Sequence, residues 1–145
     1  MPAMECVVNS KVVSPSMVLI PADLVSIAVV RAAICQALRD HGWGDEACHR
    51  VMLAASEAVA NAVEHGSHEG ELVEVVYQVG EEDAQLRILD SGGNAGWTPP
   101  STPQAPPSSA TRGRGLSIIN ALAQKMEFRS AGRGTELRLD FTRAT

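Results

Sequence analysis

Aromatic side chains, excess positive charge and long apolar runs are all scarce in this chain. These scarcities argue against an aromatic core, a nucleic-acid surface and a membrane-spanning segment, in that order. Phe, Trp and Tyr make up 3% of the 145 residues, so a core has to be built from Val, Leu, Ile and Ala. The formal net charge is −5, and no basic face is evident. A nucleic-acid surface is therefore not expected, because it needs clustered Lys and Arg. A nucleotide stays open, since a few backbone N–H groups can hold its phosphates.

Cysteine is also sparse. Cys6, Cys35 and Cys48 form an odd, widely spaced set without a Cys-x-x-Cys pair, which argues against a structural zinc site and favours free thiols in a reducing compartment. The first residues lack the basic region and apolar core of a signal peptide. No run of about 18 apolar residues is available to span a membrane. We therefore expect a cytoplasmic protein with no membrane and no nucleic-acid partner.

The length of 145 residues fits one domain, residues 1–145, with enough interior for a core. Residues 95–112 differ from the rest, because five prolines fall between Pro99 and Pro107 and no periodicity survives. Only about 30 residues follow, which is too few to fold alone. The segment is therefore predicted to be a long mobile loop, not a linker to a second domain.

Two long helices are predicted in the first half of the chain. The first opens at Pro21 and Asp23, because proline and an acidic side chain both suit the first turn of a helix. It ends at Gly42 as a C-cap. The second is capped by Asp45 and ends at Gly66.

Strands are predicted where the sequence is rich in valine or alternates between apolar and polar residues. They cover residues 5–13, 71–79, 84–90, 126–130 and 135–141. Residues 17–20 continue the first of these segments or pair with it. Helices mixed with antiparallel strands indicate an α+β fold, a two-layer α/β sandwich with a mostly antiparallel sheet and helices on one face.

The second helix carries the strongest pattern in the sequence. Its apolar stripe is made of residues that are mostly small and allow close packing on a sheet, namely Val51, Ala55, Ala58 and Ala62. Glu57 and Asn61 are stacked one turn apart at the edge of this stripe. On this helix alone a solvated edge is the simpler interpretation. The functional interpretation is a cleft lined by a carboxylate and a carboxamide.

Asp90 ends a predicted strand and enters a glycine turn. It is either an ordinary turn aspartate or a carboxylate that accepts a hydrogen bond from a ligand amine, with Gly92 letting that ligand approach the backbone closely. Thr135 follows Gly134 at the start of the last strand. A threonine is ordinary in a strand. Thr135 becomes a candidate site residue only if a neighbouring strand brings it beside Asp90.

Gly113 and Gly115 precede a helical pattern that starts at Leu116. Glycines before a helix leave backbone N–H groups free to bind an anion, and the helix dipole favours negative charge there. Arg112 and Arg114 add positive charge beside it. The pattern predicts a phosphate site, although Gly-x-Gly by itself also fits a tight turn with solvated arginines. The proline-rich segment directly before it is placed like a lid.

Taken in order, four segments resemble the sequence boxes of one superfamily. They are Glu57-x-x-x-Asn61, Asp90-Ser-Gly92, Gly113-Arg-Gly115-Leu and Gly134-Thr135, which are similar to the N, G1, G2 and G3 boxes of the GHKL (Bergerat-fold) ATPases. The small size and residues 56–65 most resemble the anti-sigma-factor serine kinases, which are stand-alone switch kinases of bacterial partner-switching systems. The resemblance extends from about Leu19 to Phe141.

The resemblance implies a role for each matching residue. Glu57 would be the general base that accepts the proton of the attacking serine hydroxyl, and Asn61 would hold the Mg²⁺ that bridges the phosphates. Asp90 would bind the adenine amino group, and Thr135 would support this contact either directly or through a water molecule. Gly92 would give the base room.

The implied phosphate site lies at the start of the third helix. Gly113, Gly115 and Leu116 would cradle the phosphates there, under a lid formed by residues 95–112. Arg112 or Arg114 would neutralise charge on the γ-phosphate, and the sequence does not choose between them. The implied cofactors are ATP and Mg²⁺.

The activity implied by the resemblance is that of an ATP-dependent protein-serine kinase. Its substrate would be a STAS-type anti-anti-sigma (antagonist) protein, and its second partner a sigma factor or another regulator that it sequesters. The resemblance leaves a homodimer open.

One turn departs from the family pattern. Family members usually read Asp-x-Gly-x-Gly, whereas Gly93 and Asn94 follow Gly92 here, so the second glycine is displaced by one position. Asn tolerates left-handed backbone angles better than most residues. The alternative function is a non-catalytic anti-sigma or partner-binding module with weak or no nucleotide binding. A detached histidine kinase domain ranks below both, because no heptad pattern surrounds any histidine.

Overall fold

The computed structural model describes residues 6–8, 11–13, 15–66, 71–90, 115–131 and 134–143. Its helices are α1 (Ile27–Asp40), α2 (Asp45–Asn61) and α3 (Gly115–Leu122), with a 3-10 turn at Leu24–Ser26 and a π-helical turn at Ala62–Gly66. Its strands are β1 (Cys6–Val8), β2 (Lys11–Val13), β3 (Ser16–Pro21), β4 (Leu72–Val79), β5 (Asp83–Leu89), β6 (Lys125–Ala131) and β7 (Gly134–Thr142).

Five of these strands form one antiparallel sheet in the order β3-β4-β5-β7-β6. The register places Val75 opposite Ile88 and Leu86 opposite Leu139, so apolar side chains of neighbouring strands share one face. The predicted alternation of β5 and β7 is confirmed, because Leu86, Ile88 and Leu139 are all at most 2% exposed. The α+β fold with a mostly antiparallel sheet is likewise confirmed.

The helices pack on this apolar face. Val51, Ala55 and Ala58 of α2 are buried, which confirms the predicted stripe, and they join one core with Ile34 of α1 and Ile119 of α3. Because alanine adds only a methyl group, the α2 backbone can lie close to the strands. The helix α2 can therefore pack directly against the sheet.

The predicted start of the first helix is wrong. Pro21 is the last residue of β3, paired with Leu72 of β4. Asp23 instead caps the 3-10 turn, since its Oδ1 accepts a hydrogen bond from the Ser26 backbone N at 2.9 Å. This local cap ends the extended chain and delays the start of α1 to Ile27.

One other boundary prediction is corrected, and one is confirmed. Asp45 is the first residue of α2, and Gly44 holds the N-cap position. Asp45 accepts instead from Arg39, with an Nη1 to Oδ1 distance of 3.0 Å. Gly42 follows α1 with a φ of 81°, as a C-terminal glycine should.

The N-terminal segment also differs from the prediction. It forms a β1–β2 hairpin that is a separate two-stranded sheet. β3 pairs with β4, where Ile20 lies opposite Val73 and both are buried. Pairing with β4 buries these side chains in the core, which explains the choice of partner.

The cysteines in α1 and α2 are free thiols, as predicted. Cys48 is buried, and burial raises the pKa of its thiol. Its Sγ donates to the Trp43 carbonyl oxygen at 3.6 Å. None of the helices in the described ranges has both the length and the apolar character needed to cross a bilayer.

Candidate functional site

Two long-range hydrogen bonds tie the start of α2 to the sheet. Just before the helix, Trp43 Nε1 donates to the Gly80 carbonyl oxygen at 2.9 Å. Near its start, Arg50 Nη2 donates to the Thr142 carbonyl oxygen at 2.7 Å. Both acceptors lie at the end of the sheet where β5 begins and β7 finishes. From Arg50 to its last residue, α2 then rises about 16 Å along its own axis, at about 1.5 Å per residue.

Asn61 is that last residue, about 16 Å along the helix axis from Arg50. It is half-buried, as is Glu57 one turn earlier. This confirms the expectation that both side chains lie at the edge of the buried face. The π-helical turn Ala62–Gly66 follows Asn61 directly, and such wider turns are frequent at functional sites.

Glu57 lies against the first residue of α3. A Cβ placed on Gly115 would be 3.7 Å from Glu57 Oε1 and 3.8 Å from its Cβ. The carboxylate therefore lies beside the N-terminus of α3, where the first backbone N–H groups of a helix have no intrahelical partner and the helix dipole is positive. Leu116 is half-buried and packs against the core, which anchors this first turn.

Asp90 and Thr135 are held together by a reciprocal pair of hydrogen bonds. The Thr135 backbone N donates to Asp90 Oδ1 at 3.1 Å, and the Asp90 backbone N donates to the Thr135 carbonyl oxygen at 3.1 Å. The carboxylate is thus fixed at the end of β5 by the start of β7. The two residues are 45 positions apart in the chain, and the expectation that a neighbouring strand brings Thr135 beside Asp90 is met in the structure.

Gly134 makes this approach possible. A Cβ at Gly134 would overlap the Asp90 carbonyl oxygen and lie 2.7 Å from the Asp90 carbonyl carbon. It would also lie 3.0 Å from Oδ1 of the same residue. Because these neighbours are mostly backbone atoms, no side-chain rotation relieves the overlap. Strand alternation does not reveal this constraint, and Gly134 stands out in the sequence only because Gly134-Thr135 resembles the G3 box.

The remaining predicted site residues lie outside the described part of the chain. They are Gly92, Arg112, Gly113 and Arg114, together with the altered turn at Gly93 and Asn94 and the predicted lid at residues 95–112. Their roles stay predictions. The described residues therefore form two pairs, Glu57 with Gly115 and Asp90 with Thr135.

A magnesium ion bound with a nucleotide fits this set of groups. Within the described ranges, no cluster of three or more His, Cys, Asp or Glu side chains could hold a metal by itself. Mg²⁺ in nucleotide sites keeps several waters and takes only one or two protein oxygens beside the phosphates. The half-buried carboxamide of Asn61 at the end of α2 suits such a role.

Comparison with known proteins adds a family. A family model described as the histidine kinase-like ATPase domain matches residues 20–141. No curated protein sequence matches the chain significantly.

One similar solved structure is that of the RsbU and RsbW domains of Rv1364c from Mycobacterium tuberculosis, with a TM-score of 0.65 and 21% sequence identity. The match covers 88% of this chain but only 32% of that one. At this identity the likeness shows a shared fold.

Proposed function

This chain belongs to the family of histidine kinase-like ATPase domains, and we propose that it is an ATP-dependent protein-serine kinase of a bacterial partner-switching system. Its substrate is a STAS-type antagonist protein, and it sequesters a sigma factor or another regulator when that antagonist is absent. Family membership implies ATP binding. The fold shared with a structure that contains an RsbW domain supports the partner-switching context, and a cytoplasmic location belongs to the same proposal.

The observation that carries the proposal is the position of Glu57 against Gly115. It places a half-buried carboxylate beside the helix N-terminus that would hold the terminal phosphates. A general base must lie within reach of the hydroxyl it deprotonates. A hydroxyl that attacks a phosphate bound at α3 is within reach of Glu57, which is the arrangement that phosphoryl transfer to serine requires.

Each described residue then has a task. Asp90 accepts a hydrogen bond from the adenine amino group and is held in place by Thr135. Asn61 would hold Mg²⁺, which would supply charge neutralisation among the phosphates. The first turn of α3, from Gly115 to Leu116, presents its N–H groups to the phosphates. Gly92, Gly113, and Arg112 or Arg114 complete the site in this proposal, under the lid at residues 95–112.

The transfer step balances with these groups. A bond forms between the serine Oγ and the γ-phosphorus while the bond from that phosphorus to the β–γ bridging oxygen breaks. ADP leaves, and the hydroxyl proton passes to Glu57. Because the reaction depends mainly on positioning and charge stabilisation, the rigid mounting of Glu57 on the alanine-faced α2 is what the fold contributes.

The proposal is tested by incubating the purified chain with labelled Mg-ATP and purified STAS domains encoded beside it, then mapping phosphoserine by mass spectrometry. We expect one labelled serine on one STAS domain. Glu57→Gln should lower the transfer rate at least a hundredfold, the usual contribution of a general base, with ATP affinity retained.

Glu46→Gln is the matched control, because Glu46 is exposed in the first turn of the same helix. Its transfer rate should equal that of the wild type. Transfer at an undiminished rate by Glu57→Gln would remove Glu57 as the base. A wild-type chain whose melting temperature does not rise with Mg-ATP would favour the non-catalytic partner-binding module instead.

A further inference from the structure

We propose that the open edge of β3 pairs with the same edge of a second copy of this chain, so that the two copies share one continuous sheet. β3 comes first in the strand order β3-β4-β5-β7-β6, and among the described strands it pairs only with β4. An edge strand presents backbone N–H and C=O groups that another strand can use. The inference involves no residue of the proposed kinase site and does not depend on that activity.

The pairing of β3 with β4 shows which backbone groups face the open edge. Ala22, just after β3, donates its backbone N to the carbonyl oxygen of Glu71, the residue directly opposite in the register, at 2.8 Å. In an antiparallel ladder, opposed residues that exchange hydrogen bonds alternate with opposed residues that do not. The bonded positions therefore continue back from Ala22 in steps of two. The positions between them, Met17 and Leu19, point their backbone N–H and C=O groups away from β4.

Two prolines limit the length of this open edge. Pro15 lies two residues before Met17, and Pro21 lies two residues after Leu19, so both fall on the same alternation. Proline has no N–H to donate, and the Pro21 carbonyl oxygen already accepts a hydrogen bond from the Asp23 backbone N at 2.7 Å. Within residues 15–21 the donors on the open side are therefore those of Met17 and Leu19. Such an edge suits one short pairing and not an extended fibre.

A two-fold axis at Val18 uses all of these groups. In that register Val18 lies opposite Val18 of the second copy, and Met17 lies opposite Leu19 of the second copy. Each pair of Met17 with Leu19 exchanges both of its N–H···O bonds, so every donor of the two edges finds an acceptor. A register centred on Leu19 would place Met17 opposite Pro21, which has no N–H. The edge is thus complementary to itself, which makes an identical chain its occupant.

The side chains along the edge are apolar and exposed as well. Val18 packs against the core, so strand alternation places Met17 and Leu19 on the opposite face of the sheet. They are 56% and 50% exposed, and Leu72, which lies opposite Pro21 and on that same face, is 52% exposed. The proposed register sets Met17 of each copy against Leu19 of the other. Pairing therefore buries apolar surface in addition to satisfying the backbone.

Exposed apolar side chains are concentrated in this part of the described structure. Seven large apolar side chains in the described ranges are at least 40% exposed, and six of them belong to β3, to the first residue of β4, or to the turns that follow β3. These six are Met17, Leu19, Leu24, Val25, Val29 and Leu72. Single exposed apolar residues are ordinary, whereas a group of neighbouring ones marks an interaction surface.

The other edge of the sheet is protected against pairing. β6 carries Lys125, Glu127 and Arg129 at alternate positions, and Lys125 Nζ lies 2.8 Å from Glu127 Oε1. Charged side chains, lysine above all, are a common protection of edge strands. β3 has no charged residue from Ser16 to Pro21. The contrast favours pairing at β3 alone, which closes the assembly at two copies.

Sedimentation velocity over a dilution series tests the pairing. We expect the wild type to form dimers that dissociate on dilution. Met17→Pro removes an N–H from the open edge but no bond to β4, so the dimer dissociation constant should rise at least about tenfold. Leu19→Lys should weaken the dimer as well, because it sets a charge against apolar Met17 of the other copy. Leu53→Lys is the matched control on α2, since Leu53 is also exposed, at 40%, and it should keep the wild-type constant.

Introduced thiols test the register. Opposed residues of an unbonded antiparallel pair have Cα atoms about 4.5 Å apart, which a disulfide can span. Val18→Cys should therefore form a covalent dimer with glutathione disulfide as the oxidant. Met17→Cys should give no more covalent dimer than the parent chain, because the two copies of position 17 lie on a diagonal about 7–8 Å apart, beyond the usual Cα spacing of a disulfide.

Three results would overturn the pairing. They are a wild-type chain that stays monomeric up to about 0.5 mM, a Met17→Pro variant with the wild-type dissociation constant, and equal covalent dimer from Met17→Cys and Val18→Cys. Loss of the dimer in Leu53→Lys would also overturn it, because the contact would then involve α2. Each of these results leaves the proposed kinase activity standing, which is measured separately by phosphoserine mapping.

Discussion

Adding a methyl group at Gly134 would test the contact between the start of β7 and the end of β5. In Gly134→Ala the new Cβ overlaps the Asp90 carbonyl oxygen and lies 2.7 Å from the carbonyl carbon. Backbone atoms cannot rotate away, so the start of β7 and the end of β5 must separate. The two hydrogen bonds between Asp90 and Thr135, each 3.1 Å long, are the first contacts to break.

The cost follows from these contacts. Overpacking of this kind costs about 1–3 kcal/mol, and each lost hydrogen bond adds about 0.5–1.5 kcal/mol if it breaks completely. Because partial separation relieves some of the overlap, we expect a net destabilisation of about 2–4 kcal/mol. For a chain of this size each kcal/mol lowers the melting temperature by roughly 3 °C, so Tm should fall by roughly 6–12 °C.

Circular dichroism melting and calorimetric titration with Mg-ATP measure the two consequences. ATP affinity should drop at least about tenfold below the wild-type value even at temperatures where the variant is folded, because the Asp90 carboxylate has moved. Gly44→Ala makes the same chemical change at the N-cap of α2, where nothing lies within 4 Å of an added Cβ. It should stay within about 0.5 kcal/mol of the wild type. A Gly134→Ala variant with wild-type Tm and affinity would show that β7 does not approach Asp90 this closely.

Two further predictions concern single groups. Asp90→Asn should weaken ATP binding by roughly tenfold, because the amide presents one acceptor in place of a carboxylate; unchanged affinity in a calorimetric titration would rule out the adenine contact. Burial raises the pKa of the Cys48 thiol, so the unfolded chain releases this proton at a lower pH than the folded chain does. Stability should therefore fall, by up to about 1.4 kcal/mol per pH unit, as pH rises above the ordinary thiol pKa of about 8.5. Urea unfolding between about pH 8 and 10 should show a shallower fall in Cys48→Ala than in Cys35→Ala, and equal slopes would contradict the assignment.

The sequence predicted the elements whose burial repeats with a regular period. The α2 stripe and the alternation of β7 were correct, because Ala55, Ala58 and Leu139 occupy buried positions at helical or strand spacing. Pro21 was misassigned, since proline suits both the first turn of a helix and the end of an edge strand. Its pairing with Leu72, which the local sequence does not record, decides between them.

The candidate site, too, could be predicted only where the sequence carries a local pattern. The order of the motifs pointed to Glu57 and Asp90, because their residue types and spacing resemble a known pattern. The contact of Glu57 with Gly115 depends on how α3 docks on α2 and had no local signal. The same holds for Gly134, whose importance comes from a backbone that passes within overlap distance and not from its own conformation.

On the buried face of α2 several of the side chains are single methyl groups, with Ala55 and Ala58 at most 1% exposed. Glu57 is attached to the helix, whereas Asp90 is attached to the sheet. Any enlargement of those alanines would lift the helix and widen the gap between the proposed proton acceptor and the proposed purine contact, although neither carboxylate is touched. Substitutions on the sheet-facing side of α2 thus offer a way to vary turnover and nucleotide affinity separately. These positions would be missed if only the proposed ligand contacts were mutated.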